Sequence, residues 1–423
     1  MIRFYNGYVL AMDDFMEPEK KEVWVDGDTI LHVGASDPRD LPVFEREIDL
    51  HGDLVMPSFK NAHAHSGMTF LRSYADDLPL QKWLFDKVIP CEQKLTPEDI
   101  YDLTRLGFLE SIRSGITASM EMYYHRPSIA QAGVDMGYRT VLAGGHAAGD
   151  DIGMAEQTLF MARRMGPLIS YIPGCHSEYL ADPDTLMAMQ NFVSDYQLPF
   201  FSHNAETKKE VEECIERNGM TPTQLFEEYG LYENGGGGYH CVWMTEEDLQ
   251  IFARRGLWAV TCPCSNAKLA SGIAPIVKMQ KMGINLAIGT DGPASNNGLD
   301  MFREMYLCTV LQKLQENDAA ACDANSVLRM ACTGSARAMG LPDCDNLTFG
   351  KKADFIVISM KEANMFPINN VSKNLVYSGT PANVRMTVIN GRIVYEDGEF
   401  HVGDSAEEIC RRAQRAADRL LRG

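Results

Sequence analysis

Two kinds of hydrophobic pattern divide the chain. Residues 1 to about 55 read as short strands, with the stretches RFY, YVLAM, EVWV and TILHV punctuated by Asn6-Gly7 and Asp26-Gly27. Both dipeptides suit the positive φ that a type I′ turn needs at its two central positions, so two hairpins are predicted there. The same style returns late, in ADFIVI (353–358) and in VRMTVI-NG-RIVYED (384–397), which predicts a further Asn-Gly hairpin. From Ala406 to Leu421 apolar residues recur at helical spacing among alternating charges, which predicts a terminal helix.

Between these segments short apolar runs alternate with amphipathic helical stretches. The runs are VMPSFKNAHAH (55–65), GITASMEMYY (115–124), YRTVLAGG (138–145), LISYIPGCH (168–176), LPFFSHNAE (198–206), YHCVWM (239–244), WAVTCP (258–263) and INLAIGTDG (284–292). Their mean separation of roughly 30 residues is the period of βα units, and eight such units close into a (β/α)8 barrel. The strand groups at the two ends are each too small to fold alone. Residues 1–55 and 345–423 are therefore expected to pair into one small β domain carrying the terminal helix, beside a barrel over 56–344.

Charge and composition narrow the chemistry. Lys and Arg number 39 against 58 Asp and Glu, a net charge of −19. That balance argues against general affinity for nucleic acid or anionic membrane and suits a small-molecule substrate. No run approaches the roughly 20 apolar residues of a membrane span, and the opening MIRFYNGYVLAMDD lacks the apolar core of a signal peptide. Eleven cysteines without a CxxC pair read as reduced thiols, which suits the cytoplasm. Cys262 and Cys264 are read as buried thiols, and Gly235–Gly238 as a flexible loop entering a strand.

In a (β/α)8 barrel the reacting groups project from the C-terminal ends of the strands. Of ten histidines, five fall at these ends: His63, His65, His176, His203 and His240. His63 and His65 are two apart, so on a strand both imidazoles share one face, here the lumen. Two such rings repel when protonated and gain nothing from each other when neutral; a divalent cation gives them a common partner. His203 and Asp291 complete a set of three nitrogens and one oxygen, which suits a single Zn²⁺, with Fe²⁺ as second choice. Glu206, three residues after His203, can reach the same cavity and move a proton between water and a substrate ring nitrogen. His240 can hydrogen-bond a developing oxyanion, and Asp291 can pass a second proton to the leaving amine. Lys60, by strand parity, points out of the lumen.

These motifs resemble the amidohydrolase superfamily, in its mononuclear deaminase and chlorohydrolase branch, and look most like the 5′-methylthioadenosine/S-adenosylhomocysteine deaminases. The likeness rests on PSFKNAHAHSGMTFLR (57–72), DLPLQKWLFDKVIPCEQKLT (77–96), HNAET (203–207), YHCVWM (239–244), CPCSNAKLASGIAPI (262–276), GTDGPASNN (289–297) and GKKADFIVI (351–358). It implies that His63, His65, His203 and Asp291 hold one metal, that Glu206 carries protons and that His240 polarises the attacking water. It implies further that Glu92 binds ribose hydroxyls, that His176 contacts the purine and that Trp83 belongs to a lid over the substrate. A homo-oligomer is also implied.

Two departures bear on substrate. The family's arginine at the end of the third barrel strand is replaced within Ala143-Gly144-Gly145, and HAAGDDIGMAEQ follows without another. Arginine is the natural partner of a carboxylate, so a substrate with a free carboxylate tail is disfavoured. His146 is read as an exposed loop histidine, with filling that space as the alternative. Glu178 either faces the substrate or sits on the surface. The expected activity is deamination of a neutral adenine nucleoside such as adenosine, 5′-deoxyadenosine or methylthioadenosine. Deamination or dechlorination of another heterocycle (guanine, cytosine, pterin, triazine) and a non-catalytic scaffold are the alternatives.

Overall fold

The computed structural model describes residues 1–13, 15–78 and 80–422; Pro79, within the 77–96 motif, lies outside them. Five strands open the chain: β1 (Ile2–Val9), β2 (Glu19–Asp26), β3 (Thr29–Gly34), β4 (Arg46–Asp49) and β5 (Leu54–Pro57). Eight follow: β6 (Phe59–Ala64), β7 (Ile116–Glu121), β8 (Arg139–Ala143), β9 (Ile169–Ile172), β10 (Phe200–Asn204), β11 (Gly236–His240), β12 (Trp258–Thr261) and β13 (Asn285–Ile288). The last four are β14 (Phe355–Ile358), β15 (Val384–Ile389), β16 (Arg392–Glu396) and β17 (Glu399–Phe400).

The first and last groups form one nine-stranded sheet in the order β17-β16-β15-β14-β5-β1-β2-β3, with β4 added beside β1. Its early and late halves meet where β5 pairs antiparallel with β14. Phe4, Val23, Val25, Ile30, Phe355 and Val388 form a core of their own on this sheet. Asp26-Gly27 and Asn390-Gly391 turn hairpins between β2 and β3 and between β15 and β16. Asn6-Gly7 does not. β1 runs straight through it, with a register shift between Phe4 and Gly7 against β2. Asn6 does take a positive φ of 58°, but as part of a bulge. Gly7 is required there because a Cβ would lie 2.6 Å from Leu50 Cδ1 and 2.7 Å from the Asp53 carbonyl oxygen.

The run 55–65 is likewise two strands: Leu54–Pro57 belongs to the nine-stranded sheet, and the barrel begins at Phe59. Parallel pairing links β6 through β9 and β10 through β13. The Phe201 and His203 N–H groups donate to the Pro173 and His176 carbonyls at 3.2 and 3.0 Å, joining the two halves on one side. Asp291 N–H donates to the His63 carbonyl at 3.0 Å and closes the other. The result is a (β/α)8 barrel. Its lumen is filled by Ala62, Ala118, Met120, Val141, Phe201, Tyr239, Val260 and Ala287, so only the C-terminal rim is left for chemistry. The glycine run is no loop: Gly236–Gly238 lie in β11, buried between β10 and β12. The terminal helix, Ala406–Arg422, buries Ile409, Ala413, Ala416 and Leu420. It is tied to the barrel helix Pro97–Arg113 by an Arg412–Asp102 ion pair of 2.9 Å. No helix among the described residues is long and apolar enough to cross a membrane.

At the opposite end of the barrel, Arg139 of β8 makes a bidentate pair with Asp354, just before β14, at 2.7 and 3.0 Å. Lys60 is fully buried and directs its Nζ onto Ser58 Oγ at 2.7 Å.

Candidate metal centre and surrounding pocket

Side chains from four barrel strands, or the turns that follow them, meet at the C-terminal rim. β6 brings His63 and His65, two apart and therefore on one face, with their Nε2 atoms 3.2 Å apart. β10 brings His203, whose ring centroid is 4.8 Å from that of His63. β11 brings His240, and the turn after β13 brings Asp291. Asp291 Oδ1 lies 3.1 Å from His65 Nε2 and 3.6 Å from His63 Nε2. Within each of two overlapping trios, His63–His65–His203 and His63–His240–Asp291, the ligating atoms lie within 4.8 Å of one another.

Neighbouring carbonyls decide which ring nitrogens carry protons. His65 Nδ1 contacts the Met122 carbonyl. His203 Nδ1 donates to the His176 carbonyl at 2.6 Å, and His240 Nδ1 to Asn266 Oδ1 at 2.8 Å. In their neutral form His65 and His203 therefore present a bare Nε2 lone pair to the centre. For His240, burial is outweighed by the nearby Glu206 and Asp291, which raise the pKa, so that its Nε2 can keep a proton and donate it. Lone pairs and a carboxylate oxygen converging on one point repel unless a cation stands among them, and this donor set suits zinc. Asp291 is held ready: Ser265 Oγ and Ser295 Oγ both donate to its Oδ2, at 2.6 and 2.7 Å, leaving Oδ1 to face the histidines. Burial alone would raise the Asp291 pKa, but the histidines outweigh it and hold it well below the usual carboxylate range. Burial drives His203 well below its ordinary value, and the surrounding imidazoles add to this. The His63 ring stacks on Tyr239 with centroids 3.9 Å apart.

Glu206 Oε2 stands 4.0 Å from His240 Nε2. Burial pushes the Glu206 pKa up, and Asp291 adds to this while His240 opposes it. His176 places its ring 4.5 Å from that of His203, and burial lowers its pKa to about 4. Glu92 accepts a 2.6 Å hydrogen bond from Tyr123 Oη, and burial raises its pKa. Trp83 is buried in the main core. Glu178 does not lie on the surface. It is 3 % exposed and accepts two hydrogen bonds from Arg217, at 2.6 and 2.9 Å. His146 is fully buried rather than exposed, with Nε2 3.5 Å from Tyr171 Oη.

The end of β8 has no room for an arginine at 144, since a Cβ there would lie 2.0 Å from Gly174 N. A guanidinium does reach this region from another element: Arg126, after β7, donates from Nε to the Ala143 carbonyl at 3.1 Å. Reading along the chain did not find it, because it belongs to a different strand end. Tyr123, Ser265, Asn266 and Ser295 were missed as well. Only the SN of CPCSN and the serine four residues after Asp291 carried any signal for them.

A model of the amidohydrolase family matches residues 54–394. A 5-methylthioadenosine/S-adenosylhomocysteine deaminase of Caldanaerobacter subterraneus subsp. tengcongensis is 34% identical over 99% of this chain and 98% of its own. One of Pyrococcus furiosus is 35% identical over 93% and 95%. Among solved structures, a zinc-bound adenosine deaminase from Xanthomonas campestris superimposes with a TM-score of 0.95 at 30% identity, covering 100% of this chain and 99% of its own. A zinc-complexed atrazine chlorohydrolase from Arthrobacter aurescens gives 0.90 at 21% identity, over 99% and 100%, a likeness of fold alone.

Proposed function

Since the chain belongs to the amidohydrolase family, we propose that it is a metal-dependent aminohydrolase that replaces the ring amino group of an adenine nucleoside by a carbonyl and releases ammonia. The observation that carries this reading is the convergence of the His63, His65 and His203 imidazoles with Asp291 Oδ1 beside a Glu206–His240 pair 4.0 Å apart. His63, His65, His203 and Asp291 would hold the cation, zinc before iron. A divalent cation there supplies acidified water at neutral pH.

Glu206 takes a proton from the attacking water and delivers it to the ring nitrogen beside the C–NH₂ carbon, making that carbon electrophilic. Its raised pKa suits a group that must both accept and release a proton. The His240 Nε2 faces the attacking oxygen and steadies the charge that develops on it. A second proton, passed through Asp291, makes the amine a leaving group. Water and the aminopurine thus become an oxopurine and ammonia. Glu92 is assigned to the ribose hydroxyls, His176 to the purine and Trp83 to the covering segment.

A neutral nucleoside is favoured over one ending in a carboxylate, because the rim offers Gly144 where the family's arginine stands. An ammonia-release screen over adenosine, 5′-deoxyadenosine, methylthioadenosine, S-adenosylhomocysteine, guanine and pterin tests this. Turnover of at least one neutral adenine nucleoside, with little on S-adenosylhomocysteine, is expected. Turnover of guanine or pterin alone would overturn the nucleoside assignment. Preference for S-adenosylhomocysteine would instead hand the carboxylate to Arg126.

A further inference from the structure

Glu206 stands in the turn between β10 and the helix Lys208–Asn218. Four residues on, Glu210 occupies the third position of that helix. Thr207 caps the helix, its Oγ1 accepting from Glu210 N–H at 3.1 Å while the Glu210 carboxylate accepts from Thr207 N–H at 3.3 Å. That reciprocal pair is an ordinary capping box. Glu210 does more. Its Oε1 also accepts from Ala205 N–H at 3.1 Å, and its Oε2 from Glu206 N–H at 2.8 Å.

The chain contains its own controls. Among the described residues, three other α-helices begin with capping boxes, at Thr96/Asp99, Thr221/Gln224 and Thr245/Asp248. In each, the only backbone N–H held by the third-position side chain is that of the cap residue itself. Glu210 alone reaches two residues further back, to the residue in question and its neighbour. It is 6 % exposed and forms no ion pair among the described residues. Helix capping therefore does not account for the placement of this carboxylate.

The peptide it grips is under strain. Ala205 adopts a φ of 51°, in the left-handed region that a side chain disfavours. Its carbonyl is gripped from the other side by Val242 N–H and Trp243 N–H, at 3.0 and 2.8 Å. Those two residues follow His240 and Cys241, which are left-handed as well, with φ of 69° and 50°. The two strained turns are thus clasped through Ala205, with Glu210 on one side and the β11 turn on the other.

We infer that Glu210 is a positioning residue, whose carboxylate holds three consecutive N–H groups and so fixes Glu206 opposite His240. The inference rests on the aminohydrolase reading for its kinetic consequence, but not for its structural one. Glu210→Asp is the discriminating change. Aspartate serves the same capping position at Asp99 and Asp248, so folding and the helix start are kept, but the shorter side chain cannot span all three donors. A displaced Glu206 is expected to lower kcat by about 10²-fold while KM stays within about threefold. Metal content should not change, and amide hydrogen exchange over 205–207 should quicken. Thr207→Ala, which removes the cap and leaves the clamp, should keep kcat within about threefold and leave that exchange slow. Glu210→Asp with unaltered kcat, or equal losses in the two variants, would overturn the inference. Should the wild-type chain release no ammonia from any substrate, the aminohydrolase reading fails, and the exchange comparison still decides the role of Glu210.

Discussion

A carboxyl group that must accept a proton and hand it on works best when its pKa stands near the working pH. Burial moves Glu206 that way and Asp291 helps, while the neighbouring His240 restrains the rise. None of the atoms that would hold the cation belongs to Glu206. Glu206→Gln should therefore keep its full metal content while turnover falls by roughly 10²–10⁴-fold. Metal analysis beside ammonia-release kinetics checks both halves; near-normal turnover would remove Glu206 from the chemistry. Individual side chains were legible in the sequence to different depths. His63 and His65 announced themselves through strand parity, and His203, His240 and Asp291 through their places at strand ends. Ser265, Asn266 and Ser295 did not, because small polar residues near turns and helix starts serve so often as local caps. What singles out Ser265 and Asn266 is a partner at another strand end, Asp291 and His240, which no local pattern encodes; Ser295 bonds Asp291 within its own turn, as many capping serines do.

Secondary-structure elements teach a similar lesson. Asp26-Gly27, Asn390-Gly391 and Asn6-Gly7 offer the same turn chemistry, and only the first two turn the chain. Leu50 and Asp53, more than forty residues later, make the third a bulge within a continuous strand. The four-glycine run was misread for a related reason. Absence of side chains looks like looseness in sequence, whereas in β11 it answers tight packing from both neighbours. A Cβ at Gly236 would come 1.9 Å from the Phe200 carbonyl oxygen, and its φ is 122°. Gly236→Ala should consequently cost about 3 kcal/mol or more of stability, read as a lower urea midpoint. An unchanged midpoint would mean that β10 and β11 are not pressed together there. The eight-fold alternation itself was easy to read, since buried parallel strands are compact apolar runs whose spacing survives such local errors.

For the molecule as a whole, the buried Arg139–Asp354 pair ties a barrel strand to the residue that precedes β14 of the sheet. Burial alone would raise the Asp354 pKa, yet Arg139 outweighs it and holds the carboxyl below its usual range, with Lys60 assisting. The unfolded chain therefore binds the proton more readily. The pair's stabilisation is complete above the ordinary aspartate pKa of about 3.9 and is lost as pH falls through the lower value in the fold. Asp354→Asn should cost about 3–5 kcal/mol at pH 7, because Arg139 is left buried without its counter-charge. The variant should also lose part of the wild-type's acid sensitivity below about pH 4. Urea titrations of both proteins at pH 7 and pH 3.5 decide the matter, and equal stabilities at pH 7 would show that the pair is not what joins the two parts.

β5 must wait for β14. The partner that covers one edge of β5 lies almost 300 residues downstream, from Pro57 to Phe355. At ribosomal speeds of about 5–20 residues per second, that interval lasts roughly 15–60 s. Throughout it, the emerging chain carries a half-built sheet with an unpaired strand edge while the whole barrel is being made. Translation itself thus imposes an order on assembly: the barrel can close first, and the last strands to leave the ribosome seal the seam. A chain stalled before Phe355 would retain every residue of the rim and still expose a sticky strand, so quality control has something to recognise long before catalysis is at stake.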